Sequence, residues 1–135
     1  MGSIENYGKF IDGGDCFELT AEPPRKWNNL HYNQYGGRDI CIHASNIGDG
    51  TTTIRDVDGT TYELIRYDNK YLYVRNENTG TVFCPGGAPV PTPVEEMTTR
   101  YYREKTVISG MCEGVRVSQT IFVPRDFVNE VWSVE

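Results

Sequence analysis

The stretch Thr51-Thr52-Thr53-Ile54-Arg55-Asp56-Val57-Asp58-Gly59-Thr60-Thr61-Tyr62-Glu63-Leu64-Ile65-Arg66 decides the fold class. It is rich in β-branched and aromatic residues, which suit a pleated surface, and it is punctuated once, at Asp58-Gly59. That dipeptide supplies positive φ angles, so the segment reads as a hairpin with strands over 51–57 and 60–66 and a two-residue type I′ turn.

The same alternation of strand and turn chemistry continues in both directions. Strands are predicted over 8–11, 16–20, 39–44, 71–75, 81–84, 101–108, 115–123 and 130–134. Between them lie Asp12-Gly13-Gly14, Asp49-Gly50, Asp68-Asn69, Asn78-Thr79-Gly80 and the glycines Gly110 and Gly114. Glycine or proline interrupts most stretches before an i, i+3, i+4, i+7 pattern completes two turns, so little or no helix is expected. In the strand over 115–123, Val115, Val117, Ile121 and Val123 alternate with Arg116, Ser118 and Thr120. One face of it therefore meets a core, with Gln119 as the interruption, at a sheet edge or bonded to a neighbour. Residues 84–93 hold four prolines and two glycines, and each proline lacks a ladder donor. This segment is an extended surface loop joining two hairpin systems. Many short strands without an internal repeat predict an all-β, antiparallel sandwich or barrel.

At 135 residues the chain is a single domain, and 38% hydrophobic residues with nine tyrosines and five phenylalanines are enough for a core. No apolar run approaches the roughly 20 residues of a membrane span, and the first residues have neither the basic start nor the apolar stretch of a signal peptide. A cytoplasmic location is expected, with no membrane partner. The net charge of −6 argues against nucleic acid, because counterion release needs clustered cations. The densest basic group, Arg100, Arg103 and Lys105 around Tyr101 and Tyr102, reads as a solvated strand face. Cys16, Cys41, Cys84 and Cys112 are too far apart for a zinc knuckle or a redox pair, and without a secretion signal a disulfide framework is disfavoured. Cys41, inside Ile40-Cys41-Ile42, reads as a small buried hydrophobe.

Catalytic chemistry is sparse. His43 lies in a strand and reads as a structural hydrogen-bonder, and no nucleophile elbow, phosphate loop or metal-binding His pair occurs. Glu95-Glu96, Asp56 and Asp58 read as solvated acids beside turns. The stretch 25–38 looks loop-like. It sets Trp27, Tyr32 and Tyr35 beside His31, Asn28, Asn29, Asn33 and Gln34, aromatic faces next to planar amides of the kind that bind sugars. The plainer reading is that Trp27, after Pro23-Pro24, plugs the rim of the sandwich.

The order of these features resembles the opening of the cellobiose and chitobiose phosphorylases. Tyr7-Gly8-Lys9-Phe10 is similar to that family's Tyr-Gly-x-Phe strand, and Pro24-Arg25-Lys26-Trp27-Asn28-Asn29 to its Pro-x-x-Trp-x-Asn segment. Ser45-Asn46-Ile47-Gly48-Asp49-Gly50 looks like its Ser-Asn-x-Gly-x-Gly turn. Tyr71-Leu72-Tyr73-Val74-Arg75-Asn76 with Thr79-Gly80 looks like its Tyr-x-Tyr-x-Arg-Asp hairpin. Phe122-Val123-Pro124 followed by Val131-Trp132-Ser133-Val134 completes the series. The chain departs from the pattern at Asn76, where Asp is common, and at Val82-Phe83-Cys84-Pro85, where the family has a Trp-Ser-Pro-like segment.

The resemblance implies part of a galactose-mutarotase-like supersandwich, cut short inside its first half. It also implies a parent enzyme whose separate (α/α)6 barrel carries an aspartate acid and a phosphate pocket. In that chemistry inorganic phosphate attacks the anomeric carbon with inversion, so phosphate is the co-substrate and no other cofactor or metal is expected. Neither the acid nor the phosphate site maps onto a residue of this chain, so no catalytic residue is assigned. The residues expected to touch carbohydrate are Trp27, Tyr32, Tyr35 and Asn46. Glu130-Val131-Trp132-Ser133-Val134-Glu135 reads as a strand with no terminator, which would leave an unpaired edge, so a fragment is expected. Its expected role is packing and homodimer contact in an enzyme acting on a disaccharide or oligosaccharide. The competing functions are a free-standing carbohydrate-binding module with a Trp27, Tyr32 and Tyr35 platform, and a structural assembly domain without a ligand.

Overall fold

The computed structural model describes residues 3–66 and 69–135. In chain order the strands are β1 (Gly8–Ile11), β2 (Cys16–Leu19), β3 (Asn28–Tyr35), β4 (Arg38–Ser45), β5 (Thr52–Arg55), β6 (Thr61–Ile65) and β7 (Val74–Arg75). They are followed by β8 (Val82–Phe83), β9 (Glu95–Tyr101), β10 (Lys105–Cys112), β11 (Val115–Phe122) and β12 (Val131–Val134). Helical geometry among the described residues is confined to single 3-10 turns at Ile4–Asn6 and Asp12–Gly14. No helix there is long and apolar enough to cross a membrane.

Every pairing is antiparallel. A six-stranded sheet runs β1-β2-β9-β10-β11-β12, a four-stranded sheet runs β3-β4-β5-β6, and β7 with β8 forms a separate ribbon. The sheets meet through alternate side chains. Ile40, Ile42 and Ala44 of β4 pack on Ile108 of β10 and Ile121 of β11, with Ile54, Val123, Val128 and Trp132 around them. Under the ribbon, Phe83, Cys112 and Val117 form a second core, flanked by Leu72, Val74 and Val94. The fold is thus the all-β antiparallel sandwich that the alternation predicts.

Several local details differ from the sequence reading. The hairpin at Asp58-Gly59 is not type I′: Gly59 N–H donates to Asp56 O at 2.9 Å and only Gly59 has positive φ, 85°. The loop is therefore a tight turn followed by a left-handed glycine, and Asp58 Oδ1 accepts from Thr60 N at 2.8 Å. Two-residue turns with positive φ at both positions occur instead at Gly36-Gly37 and Glu113-Gly114. Glu113 tolerates its φ of 51° while its carboxylate accepts from Asn76, Thr79 and Thr81 at 2.7 to 2.8 Å. These bonds, chiefly those from the two threonines, lower its pKa.

The strand predicted over 101–108 is two strands. Tyr102 N–H donates to Lys105 O at 2.9 Å, and a turn built from charged residues rather than glycine separates β9 from β10. The stretch 25–38 is no loop, for β3 occupies most of it and pairs with β4 along its whole length. Cys41 is half-buried rather than in the core, because the alternation that buries Ile40 and Ile42 turns residue 41 outward. All four cysteines are free thiols. Gln119 is buried on β11, an inner strand, rather than at an edge.

Residues 84–93 carry no strand, yet their first part is not on the surface. Cys84 and Pro85 are buried, and Gly86 lies so close to Ile47 that an added Cβ would stand 2.7 Å from its Cα and carbonyl oxygen. Of the predicted Asp68-Asn69 turn, Asp68 lies outside the described residues.

Candidate functional site

Two segments that the sequence reading treated separately are joined at one rim of the sandwich. Trp27 N–H donates to Asn46 Oδ1 at 3.0 Å, and Asn46 N–H donates to Trp27 O at 3.1 Å. Lys26 pairs with Asp49, which also accepts from the Ser45 hydroxyl. Tyr71 OH donates to the same carboxylate at 3.4 Å. Asp49 is buried, and its position four residues after Ser45, in a turn closed by Ser45 N–H to Asp49 O at 2.9 Å, lets it cap its own loop. Gly50 is required there, since a Cβ would fall 1.8 Å from His43 O. The six-stranded sheet holds the junction from the other side: Tyr101 OH donates to Trp27 O at 2.8 Å and Thr99 Oγ1 to Asn46 O at 3.0 Å. Burial raises the Tyr101 pKa well above that of an ordinary phenol, so its hydroxyl remains a donor.

The expected carbohydrate residues fall in three places. Trp27 is half-buried, its ring edge-on to Tyr7 at 5.5 Å and tilted on Phe17 at 5.8 Å. Asn46 lines a neighbouring cleft of about 190 Å³, bounded by Ile47, Gly86, Met97 and Thr98, with Glu22 as its carboxylate. Tyr32 is 57% exposed and points outward from β3 beside Leu30, 55% exposed. Tyr35, three residues on, has the opposite parity and meets Phe127 at 6.4 Å. The structure thus brings Trp27 and Asn46 together and sets Tyr32 and Tyr35 on opposite faces of a strand, so the three aromatics share no platform.

Two of the four amides beside them, Asn29 and Asn33, are occupied by the fold, while Asn28 and Gln34 are exposed. Asn29 Nδ2 donates to Tyr102 O at 2.8 Å, and Asn33 Nδ2 lies 2.9 Å from the carbonyls of Pro124, Arg125 and Phe127. Between them His31 is buried, with Nε2 2.9 Å from Thr106 Oγ1. Desolvation, foremost, lowers its pKa and favours the neutral ring. His31, rather than exposed His43, is the structural histidine. Asn29, His31 and Asn33 form a polar stripe on the inward face of β3 that ties this edge strand to the opposite sheet. Gly36-Gly37 after an alternating run was the sequence signal for it.

A second buried polar centre was not foreseen. Lys70, 1% exposed, places Nζ 2.8 Å from Glu130 Oε1. Glu130 also accepts from Trp132 Nε1 at 2.7 Å and from Thr52 Oγ1 at 2.5 Å. Contacts between residues 78 positions apart leave no local sequence signal. Among the described residues no cluster of three His, Cys, Asp or Glu side chains could hold a metal ion.

The family model described as "Glycosyl hydrolase 94, supersandwich domain" matches residues 18–135. A curated relative, solabiose phosphorylase from Paenibacillus borealis, is 25% identical over 141 residues, covering 97% of this chain. The chain spans only 18% of that relative's length.

Proposed function

Because the chain belongs to the glycosyl hydrolase 94 supersandwich-domain family, we infer that it is the amino-terminal β-sandwich part of an inverting glycoside phosphorylase. The parent enzyme cleaves a β-linked gluco-disaccharide or oligosaccharide with inorganic phosphate and releases a sugar 1-phosphate. The observation that carries this reading is the family match over residues 18–135. A relative that is itself a phosphorylase supports it.

In that enzyme this part is non-catalytic. Inverting phosphorolysis needs an acid at the leaving oxygen and a site that holds the phosphate nucleophile on the opposite face, whereas the residues lining the rim cleft beside Asn46 include one carboxylate, Glu22, and no Lys, Arg or His. Its work is packing, dimer contact and carbohydrate contact. Leu30 and Tyr32 project from β3, whose outer edge is unpaired in the four-stranded sheet, and this apolar edge suits a second copy. Trp27 and Asn46 hold the rim loops that approach sugar.

The test compares the product of the complete reading frame with purified residues 1–135, each incubated with cellobiose and related β-glucosides plus inorganic phosphate. Sugar 1-phosphate is expected from the complete product and none from residues 1–135. Turnover by the short chain, or no phosphorolysis of any β-glucoside by the complete product, overturns the assignment.

A further inference from the structure

Of the outer strands of the two sheets, β3 stands apart. β1 and β12 have four residues each, β1 carries Lys9, and β6 carries Glu63 and shifts register against β5. Short length, charge and irregularity are the usual defences of an open sheet edge. β3 has none of them: it runs for eight residues in unbroken register with β4 and contains no Lys, Arg, Asp, Glu or Pro.

The backbone of this edge is open and fixed in place. On β4, His43 N–H turns to the β5 side and donates to Thr51 O at 3.0 Å, whereas Asn46 N–H turns to the β3 side and donates to Trp27 O at 3.1 Å. Antiparallel ladders alternate, so Asn29, His31 and Asn33 exchange bonds with β4, and the N–H and C=O groups of Leu30, Tyr32 and Gln34 point away from it. Leu30 N–H is taken by Asn29 Oδ1 at 3.1 Å. Those of Tyr32 and Gln34 face outward as donors. The side chains of Asn29, His31 and Asn33 anchor the strand to the opposite sheet, so little order remains to be gained when a partner pairs with it.

We propose that two copies of this chain join edge to edge through β3, antiparallel about a two-fold axis at Tyr32, so that their four-stranded sheets become one continuous sheet. The proposal rests on the dimer-contact part of the function proposed above and gives it a strand, a register and named bonds. In that register each Tyr32 N–H donates to the other copy's Tyr32 O, each Gln34 N–H donates to the other copy's Leu30 O, and the bond from Leu30 to Asn29 stays intact. The exposed side chains match as the backbone does. Tyr32 meets Tyr32 across the axis, and Leu30 lies opposite Gln34 on the same outer face. A second copy is the occupant because an antiparallel strand paired with itself closes under two-fold symmetry. Charge favours this contact too. At a net charge of −6 two copies repel one another, and β3 is an edge that brings no carboxylates together.

Sedimentation and amide-resolved NMR of the 135-residue chain, over about 10 µM to 1 mM, test the pairing. A monomer–dimer equilibrium is expected, with the Tyr32 and Gln34 amides gaining protection from hydrogen exchange as the dimer fills. Gln34→Pro deletes an outward N–H without touching the β3–β4 ladder, and Tyr32→Lys sets like charges across the axis. Each should weaken the dimer about tenfold or more while the far-UV circular dichroism stays that of the unsubstituted chain. Leu64→Lys, on the exposed edge of β6, should leave the dimer unchanged. The proposal is overturned by a chain that is monomeric throughout, by full dimer affinity in both β3 variants, or by a dimer weakened by Leu64→Lys alone. A dimer built through another surface would leave dimer contact standing and sink the β3 pairing. None of these outcomes bears on sugar 1-phosphate formation by the complete product, so the two readings fail separately.

Discussion

His31 shows how one residue of ordinary sequence context takes its properties from its neighbours. Its ring is buried against Thr106, near Lys70, Glu104 and Glu130, and its pKa lies below the ordinary value of 6.5. Above that pH the folded and unfolded chains both carry a neutral ring. As pH falls through it, the unfolded chain binds a proton that the folded chain refuses, and stability declines. Thermal melts should therefore show a falling midpoint from about pH 6.5 to 5.5, and His31→Gln should flatten that slope. An identical slope in the variant would assign the acid sensitivity elsewhere. The sequence marked His31 only as a neighbour of aromatic residues, because burial across 75 positions from Thr106 leaves no local pattern.

At the scale of elements, the strands that the sequence revealed are those with an alternating apolar face, as in β11, or with β-branched and aromatic residues beside glycine-bearing turns, as in β5 and β6. β3 was hidden because its inward positions are Asn29, His31 and Asn33, polar residues whose partners lie on the other sheet. The β9–β10 turn was hidden because charged residues form it. The proline-rich loop illustrates a different limit: composition identified it as non-strand but did not disclose that its first part is anchored. Gly86→Ala forces a Cβ to 2.7 Å from the Ile47 backbone and should cost about 1–3 kcal/mol in urea unfolding. Pro91→Ala, on the exposed part of the same loop, should stay within about 0.5 kcal/mol. Equal effects would mean that the loop is not clamped at Gly86.

Across the whole molecule, the Glu130 centre links β5 of one sheet, the segment after β6 and the start of β12 of the other. Breaking a buried ion pair from one side leaves an uncompensated charge. Glu130→Gln should therefore destabilise by about 3–5 kcal/mol, and adding Lys70→Met should recover much of the loss. Additive losses in the double variant would rule out a coupled pair. The fold class, most strand positions and the family resemblance were legible in the chain, because alternation, turn residues and motif order are local properties. Which polar groups are buried and which aromatic residues share a face follow from pairing between distant strands. Parity sends Tyr32 and Tyr35 to opposite faces. Such relations exist only once the two sheets have assembled, since they depend on side chains brought together over separations that no sequence window spans.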